Sequence, residues 1–316
     1  MSPLKTIAIS IGDLNGIGIE IALRTHEEIS KLCKPIYCIS EQMLHKACTK
    51  LNITKPQDIQ LAQVEGDFEI VPAKVAKQSG LYSHDSFMKA IKLCQAQEAH
   101  AVVTLPIHKE AWYKADITYK GHTDLLRDYF DQEAIMMLGC EEMYVALYTE
   151  HIPLKDVAKK IKKDMIYQFL VDFSRTIDAD KIAVLAFNPH AGDGGVLGSE
   201  DKQIKKAIKE ANYALGGDKL FHGPFVPDTA FTKTMRAKYK YFVAMYHDQG
   251  LIPLKALHFE ESINISLNLP IIRTSVDHGT AFDIAYKDKK PSSLSYINAI
   301  NAAIKQDKKF ILPEIY

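Results

Sequence analysis

The sequence predicts an α/β protein whose mostly parallel sheet is covered by helices on both faces. Two observations support this prediction: short apolar, β-branched runs alternate with longer segments of helical periodicity, and several runs lead directly into glycine-rich or histidine-bearing loops. Such alternation is typical of βαβ units, whose crossovers place helices over both sides of a sheet. Because its 316 residues exceed the usual size of one domain, we expect two lobes.

The predicted strands are apolar or β-branched runs bounded by turn residues. The first run, Thr6-Ile7-Ala8-Ile9-Ser10-Ile11, precedes a glycine-rich turn, and a later run ends at Pro106. In order, the further strands are predicted at residues 35–39, 101–105, 136–138, 144–149, 182–187, 241–246, 263–267 and 271–274.

The predicted helices are segments whose apolar residues recur three or four positions apart. Ser83 and Thr123 each stand near the start of such a segment and are predicted to cap it. In the segment 164–177, one face carries Ile166, Phe169, Leu170 and Phe173. The other helices are predicted at residues 19–25, 41–50, 200–215 and 292–304.

The composition is that of an ordinary globular protein, with 47% hydrophobic and 25% charged residues. Lys plus Arg and Asp plus Glu both number 39, so no overall charge attracts nucleic acid or an acidic membrane. No apolar run reaches the roughly 18 residues of a membrane span, and the start of the chain lacks a signal-peptide core. The five cysteines form no CxxC pair and indicate a reducing compartment. We therefore expect a cytoplasmic enzyme.

Histidines stand at the ends of predicted strands in the second half of the chain. The segments are Asn188-Pro189-His190-Ala191-Gly192, Met245-Tyr246-His247-Asp248-Gln249-Gly250 and Thr274-Ser275-Val276-Asp277-His278-Gly279-Thr280, and His151 follows the strand at residues 144–149. Imidazole is the commonest protein ligand of zinc-like metals and titrates near neutrality. Any one of these histidines alone is more typical of a loop residue. Together, His151, His190 and His247 predict a catalytic metal or acid–base site with a position left for substrate.

Two glycine-rich loops join strands to helices, at residues 12–18 and 192–198. Neither has the GxGxxG spacing of a dinucleotide-binding fingerprint, and the sequence contains no GxxxxGK[ST] loop. Asp13 would repel a pyrophosphate, so we interpret the glycines of the first loop as residues that a tight turn requires. The sequence thus favours neither a conventional Rossmann domain nor a P-loop nucleotidase.

Residues suited to a small anion occur in two places. His122 and Thr123 open a predicted helix whose backbone amides could hold an anion, although plain capping is the simpler interpretation. Lys255, Asn264 and Arg273 follow His247 on successive strand-like segments. Arg273 ends an apolar run, so we expect its charge to emerge at the carboxyl end of the strand, where it could pair with carboxylate or phosphate.

Seven ordered sequence blocks resemble the 4-hydroxythreonine-4-phosphate dehydrogenase family over essentially the whole chain. The blocks are Gly12-Asp13 with Gly16-Ile17-Gly18 and Glu20, Gly121-His122-Thr123, Thr149-Glu150-His151-Ile152-Pro153-Leu154, Asn188-Pro189-His190-Ala191-Gly192, Gly223-Pro224 with Asp228-Thr229, Tyr246-His247-Asp248-Gln249-Gly250 with Pro253 and Lys255, and Arg273-Thr274-Ser275 with Asp277-His278-Gly279-Thr280-Ala281. The resemblance implies two α/β/α lobes around a cleft, as in isocitrate and isopropylmalate dehydrogenases. We place the cofactor-side lobe at residues 1–122 plus 268–316, and the substrate, metal and dimerisation lobe at residues 123–267.

The resemblance also implies the site residues. One divalent metal ion (zinc, magnesium or cobalt) would bind His151, His190 and His247, and the substrate contacts would be His122, Thr123, Lys255, Asn264 and Arg273. NAD or NADP would be held by His278, Gly279, Thr280, Ala281 and Asp283, a match that comes from the related dehydrogenases. Candidate proton acceptors are Lys255, Asp248 and a metal-bound water. The family is homodimeric with its active site at the subunit interface, and the partner chain supplies the histidine that matches His247.

The implied activity is the NAD(P)-dependent oxidation of 4-phosphooxy-L-threonine to 2-amino-3-oxo-4-phosphooxybutanoate. This product loses carbon dioxide to give 3-amino-2-oxopropyl phosphate, which pyridoxine 5'-phosphate synthase uses in pyridoxine 5'-phosphate biosynthesis. The nearest alternative is the same oxidation of 4-phospho-D-threonate or D-erythronate. A phosphate acyltransferase on a related fold would need no metal triad, and a non-catalytic metal-binding protein would need no anion-binding residues.

The sequence departs from the family pattern in two places. Leu14 and Ile19 stand where the family usually has prolines, and Tyr286-Lys287-Asp288-Lys289 replaces a glycine-rich stretch. We expect the first change to alter the stiffness of the first loop. The second leaves the choice between NAD and NADP open. Neither touches a predicted metal or substrate position.

Overall fold

A computed structural model describes residues 3–217 and 219–306. The strands are β1 (Thr6–Ser10), β2 (Lys34–Cys38), β3 (Gln60–Ala62), β4 (Ala101–Thr104), β5 (Ile135–Cys140), β6 (Met143–Leu147), β7 (Ile182–Leu185), β8 (Phe221–Phe225), β9 (Tyr241–Ala244), β10 (Ile263–Leu267) and β11 (Ile272–Val276). The helices are α1 (Gly18–Arg24), α2 (His26–Ile29), α3 (Glu41–Leu51), α4 (Lys77–Gln95), α5 (Lys109–Lys114), α6 (His122–Phe130), α7 (Leu154–Lys160), α8 (Lys163–Ser174), α9 (Asp201–Ala214), α10 (Lys233–Arg236), α11 (His247–His258) and α12 (Leu294–Lys305). The predicted α/β class is confirmed.

The chain divides into two compact units, and the first holds the residues up to Gln132, Ile263–Ile265 and those from Leu269 onward. Its strands lie in the order β3-β2-β1-β4-β11, and each neighbouring pair is parallel. Every residue of β4 and β11 is buried. Burial on both faces explains why these strands read as continuous apolar runs rather than as an alternating pattern.

Three strands of the first unit end side by side. Ser10 of β1 is paired with Thr104 of β4, and Thr104 is paired with Ser275 of β11. The loops that follow these strands therefore begin at one edge: residues 11–17, 105–108 and 277–286. Open α/β sheets bind ligands at this carboxyl edge.

The second unit comprises Glu133–Ser262 and Ser266–Asn268. Its strand order is β5-β6-β9-β7-β8, in which β5 and β6 are antiparallel and the other pairs are parallel. The carboxyl ends of β6, β9 and β7 lie side by side, because Leu147 pairs with Ala244 and Val184 pairs with Val243. The segments that follow these strands carry the three predicted metal ligands.

Most predicted elements are confirmed, with three corrections. Ser83 lies inside α4, which begins at Lys77, and does not cap it. Its buried hydroxyl instead donates to the Gly80 carbonyl and accepts from Trp112 Nε1. Thr123 does not cap α6, which begins one residue earlier. Lys255, predicted on a strand-like segment, lies instead in helix α11, which contains Pro253 although proline normally argues against a helix interior.

The predicted domain boundaries, after residues 122 and 267, stay a prediction. By contacts, α6 belongs to the first unit. Within residues 3–217 and 219–306, no helix is both long enough and apolar enough to cross a membrane.

Candidate functional site

Arg273 places a buried positive charge in the first unit, with 2% of its surface exposed. It is the second residue of β11, which continues to Val276 beyond the predicted end at residue 274. Its long side chain nevertheless reaches the carboxyl edge, where Nη2 donates a 2.7 Å hydrogen bond to Oγ1 of Thr104. Burial lowers the pKa of Arg273 to about 9, which still leaves the guanidinium charged at neutral pH.

His122, the first residue of α6, is buried near this charge. Its ring packs edge-on against Phe87, with centroids 4.6 Å apart, and against Trp112 at 5.6 Å. Burial, followed by the positive charge of Arg273, holds the pKa of His122 well below its ordinary value, so the imidazole is neutral at pH 7. Its buried Nε2 has no hydrogen-bond partner within the described ranges. A ligand that hydrogen-bonds to Nε2 would remove the cost of that unsatisfied atom.

The predicted substrate contacts Thr123 and Asn264 also belong to the first unit. Thr123 is buried and follows His122 on α6. Asn264 lies on β10, and its backbone carbonyl is 3.5 Å from Oγ of Ser275 on β11. The buried Asn264 Oδ1 makes no hydrogen bond to any described residue. The first unit thus contains a buried guanidinium and two buried polar atoms, His122 Nε2 and Asn264 Oδ1, that have no hydrogen-bond partner among the described residues.

The segment 277–286 follows β11 and contains the predicted cofactor residues 278–283. It is anchored at its start, where the Asp277 amide donates to Oγ of Ser295. Phe282 stacks on His108 with centroids 4.8 Å apart and planes 21° apart. His278 Nδ1 lies 3.1 Å from the Gly279 carbonyl oxygen. Together with Thr280, Ala281 and the exposed Asp283, these residues form a surface loop at the carboxyl edge of the sheet.

The first loop is a rigid turn that Asp13 holds together. The buried Asp13 carboxylate accepts hydrogen bonds from the Asn15 amide and from Ser79 Oγ. Burial raises the pKa of Asp13. Gly12 has φ +69°, and a Cβ there would lie 2.3 Å from the Pro106 carbonyl oxygen. The structure therefore confirms that this glycine serves a tight turn.

In the second unit, His151 and His247 lie close together. Their ring centroids are 5.3 Å apart. His247 begins α11, and its Nδ1 is 2.8 Å from Oδ1 of the exposed Asp248. Lys255 lies on the same helix, with Nζ 5.3 Å from the ring centre of Phe259. The structure thus brings together two of the three predicted metal ligands and places the two side chains that are candidate proton acceptors, Asp248 and Lys255, on α11.

The start of α11 is fixed by the residues that follow His247. Gln249 accepts a hydrogen bond from the Met245 amide and donates to the Ala186 carbonyl, both at 2.7 Å. A Cβ on Gly250 would lie 2.5 Å from Cγ1 of Val145, so only glycine allows the helix to pack this close to the sheet. The His-Asp-Gln-Gly block therefore positions His247 as well as supplying it.

His190 lies in a loop with unusual backbone geometry. Residues 190–194 all have positive φ, from 43° to 79°. The loop is tied down by Asp201, whose carboxylate accepts from the amides of Phe187 and Asn188 and from the Asn188 side chain. Sequence reasoning missed this role of Asp201, although an acidic residue in the first turn of the helix after the loop was a usable signal.

The donor chemistry fits a divalent metal, because imidazole suits zinc, cobalt and related ions. Among the residues that the structure describes, no group of three or more His, Cys, Asp or Glu side chains is arranged to hold an ion. A cavity of about 590 Å³ lies beside His247 and is lined also by Glu150, Asp228, Tyr246 and Asp248. One chain therefore offers a histidine pair next to a cavity.

Comparison with known proteins decides the family. The family model of the pyridoxal phosphate biosynthetic protein PdxA matches residues 31–303. The chain belongs to the PdxA family. It is 61% identical to the 4-hydroxythreonine-4-phosphate dehydrogenase of Sulfurimonas denitrificans over 298 residues, 94% of this chain and 96% of that relative. The resemblance inferred from the seven sequence blocks is confirmed.

Solved structures agree with this family assignment. A crystal structure of 4-hydroxythreonine-4-phosphate dehydrogenase from Klebsiella pneumoniae has a TM-score of 0.80 and 31% identity, covering 95% of this chain and 98% of that one. A β-decarboxylating dehydrogenase from Thermococcus kodakarensis has a TM-score of 0.50 and 12% identity, covering 96% and 85%. The second likeness concerns the fold alone.

Proposed function

We propose that this chain catalyses the NAD(P)-dependent oxidation of 4-phosphooxy-L-threonine in pyridoxine 5'-phosphate biosynthesis. The buried Arg273 guanidinium beside the neutral His122 carries the proposal, because both suit a small anionic substrate. The names of the PdxA relatives supply the substrate. The product, 2-amino-3-oxo-4-phosphooxybutanoate, would lose carbon dioxide to give 3-amino-2-oxopropyl phosphate, the substrate of pyridoxine 5'-phosphate synthase.

The residues of this chain would bind and orient the substrate. Its phosphate and carboxylate groups would be held by His122, Thr123, Lys255, Asn264 and Arg273. Holding both ends of the substrate fixes the C3 hydroxyl relative to the cofactor and reduces the entropy cost of reaching the transition state. Either Lys255 or Asp248 would accept the hydroxyl proton.

The cofactor and the metal would be held by separate parts of the chain. The cofactor contacts are His278, Gly279, Thr280, Ala281 and Asp283, and the metal ligands are His151, His190 and His247. When bound, NAD or NADP would accept the hydride from C3, and zinc, magnesium or cobalt would lower the pKa of the C3 hydroxyl.

We further propose that the active form is a homodimer with its active site at the interface, His247 being supplied by the partner chain. One observation supports the dimer: α11 exposes large apolar side chains. Ile252 is 69% exposed, and Phe259, just beyond the helix, is 70% exposed. Exposed apolar side chains near a site indicate an interaction surface.

Subunit mixing tests how the ligands are shared. A mixture of His190→Ala and His247→Ala subunits should regain activity if the two histidines of one site come from different chains, because one site of each heterodimer then keeps all its ligands. A mixture of His151→Ala and His247→Ala subunits tests His247 in the same way. Failure of both mixtures, with heterodimers verified by mass spectrometry, would place all three ligands in one chain.

The reaction is tested by following nicotinamide reduction with 4-phosphooxy-L-threonine and with 4-phospho-D-threonate, each with NAD and NADP. Metal-dependent turnover of the L-threonine compound is expected, and chelation should abolish it. Turnover of the D-threonate compound alone would assign the chain to the paralogous reaction. The cysteines at 33, 38, 48, 94 and 140 are all buried free thiols, which supports a reducing, cytoplasmic location.

A further inference from the structure

Tyr286, three residues beyond the predicted cofactor residues 278–283, has an unusual backbone. Its φ is +58°, a conformation that costs an ordinary L-residue free energy and persists only where the surroundings enforce it. Tyrosine is an unusual residue for this backbone conformation, because asparagine, aspartate and glycine accept a positive φ more readily. An interaction of the side chain must therefore hold this residue in place.

That interaction joins Tyr286 to the first loop. Its partly buried ring directs the hydroxyl to the backbone carbonyl of Leu14, and the hydrogen bond is 2.6 Å long. Leu14 is fully buried, so its carbonyl would have no water to replace a lost donor. Burial, with the nearby charges of Asp13 and Glu20, raises the pKa of Tyr286, and the hydroxyl stays protonated as a donor at physiological pH.

Hydrogen bonds of the neighbouring residues Asp13 and Asn15 hold the Leu14 carbonyl in place. The Asp13 amide donates to the Pro106 carbonyl at 2.8 Å. On the other side of Leu14, the Asn15 side chain donates to the Lys74 carbonyl and accepts from the Val71 amide. Hydrogen bonds to Pro106 and to residues 71 and 74 thus hold the first loop independently of its contact with residues 277–286.

A second contact holds the middle of the segment. The Ile17 amide donates to the Thr280 carbonyl at 3.1 Å. A Cβ on Gly16 would lie 2.8 Å from the same carbonyl oxygen, so the two backbones are in direct contact. Between the two contacts the chain makes a single turn, in which the Ala285 amide donates to the Ala281 carbonyl.

We infer that Tyr286 is a positioning residue that fixes residues 277–286 in their cofactor-binding shape before the cofactor arrives. This inference rests on the proposed assignment of residues 278–283 to the cofactor. A segment ordered in advance loses less conformational entropy on binding, so its affinity for the cofactor is higher. Tyr286 does not itself need to touch the cofactor or the reacting atoms.

The test measures binding of NADH and NADPH by their fluorescence, with no turnover. Tyr286→Phe keeps the ring and removes the hydroxyl, and it should raise the Kd of the preferred cofactor about tenfold, as expected for one buried hydrogen bond. At saturating cofactor, kcat should stay within about twofold of the wild type, because only preorganisation is lost. Amides of residues 277–286 should exchange with deuterium faster in the free variant.

Two further variants complete the design. Tyr148→Phe removes a matched hydroxyl-to-carbonyl hydrogen bond, to Lys160 in the second unit, and should leave the cofactor Kd unchanged. Tyr286→Gly accepts the positive φ without strain but lacks the ring and hydroxyl. It should bind the cofactor at least as weakly as Tyr286→Phe, and wild-type binding by Tyr286→Gly would overturn the inference.

Gly279→Leu separates this inference from the cofactor assignment. No atom lies within 4 Å of a Cβ built at Gly279, so the variant should fold normally and block a cofactor bound at this segment. If Gly279→Leu weakens binding and Tyr286→Phe does not, Tyr286 has no positioning role. If neither variant weakens binding, the cofactor assignment is wrong and the inference fails with it.

Discussion

Replacing Arg273 by methionine should separate function from stability. The variant would lose the charged group that we propose binds the substrate, and truncating one partner of a buried charged pair costs about 2–5 kcal/mol. We therefore expect kcat/KM to fall by roughly 30-fold to several thousandfold. The free energy of unfolding should also change, because the variant removes a charge that folding transfers from water to the protein interior.

The sign of the stability change follows from the pKa of Arg273. Burial in the folded protein lowers this pKa to about 9, so the unfolded chain holds the proton more tightly than the folded protein. The resulting penalty is fully present below pH 9 and decreases as the pH rises above it. Removing the charge should raise the free energy of unfolding of the substrate-free protein by about 1–4 kcal/mol at pH 7, less the lost hydrogen bond to Thr104.

The assays are steady-state kinetics, urea denaturation and a thermal shift with inorganic phosphate. Phosphate should stabilise the wild type and Arg175→Met but not Arg273→Met, because bound anion stabilises only a protein that retains its site. Arg175 is a suitable control, since it is 61% exposed and its contact with Asp172 is long, at 3.7 Å. A destabilised Arg273→Met variant whose kcat/KM lies within about fivefold of the wild type would refute this reasoning.

Three further predictions test the remaining parts of the site. When the pH falls from 8 to 5, the free energy of unfolding measured in urea should decrease more for the wild type than for His122→Phe. The reason is that the pKa of the buried His122 imidazole is lowered by folding, so the folded protein loses stability as the pH falls below the ordinary pKa of histidine. Parallel pH profiles for the two proteins would contradict this. Gly16→Ala should weaken cofactor binding about tenfold in a fluorescence titration, since its methyl group would lie 2.8 Å from the Thr280 carbonyl oxygen; unchanged binding would mean that the segment adjusts freely. Asp201→Ala should weaken metal binding about 10- to 100-fold in a competition titration with a chromogenic chelator, because the loop that carries His190 loses its anchor; equal affinities would show that the loop holds its shape without Asp201.

Much of the fold was predictable because its signals are local. Strands β1 and β4 are buried on both faces and read as short apolar runs, and α8 presents Ile166, Leu170 and Phe173 at helical spacing. The signal failed where a residue with a strong local preference is overridden by packing. Pro253 inside α11 is the clearest example, since that helix is held by Leu251 and Leu254 in the core.

The candidate site was predictable as a set of residues but not as an arrangement. The seven blocks indicated His122, Arg273 and the three histidines by type and order. They could not indicate that His122 would be neutral, nor that Arg273 would reach Thr104, 169 residues away in the chain. Burial and charge at these positions depend on which strands become neighbours.

The sequence by itself determined the α/β class, the family and the identity of the candidate ligands. These follow from periodicity and from motifs within a few residues, which the chain carries before it folds. Only the tertiary structure decided which polar atoms are buried without partners and which segments are fixed in advance. The hydrogen bond from Tyr286 to Leu14 spans 272 residues, and no local spacing encodes it, because such a contact exists only after the strands of the first unit have paired.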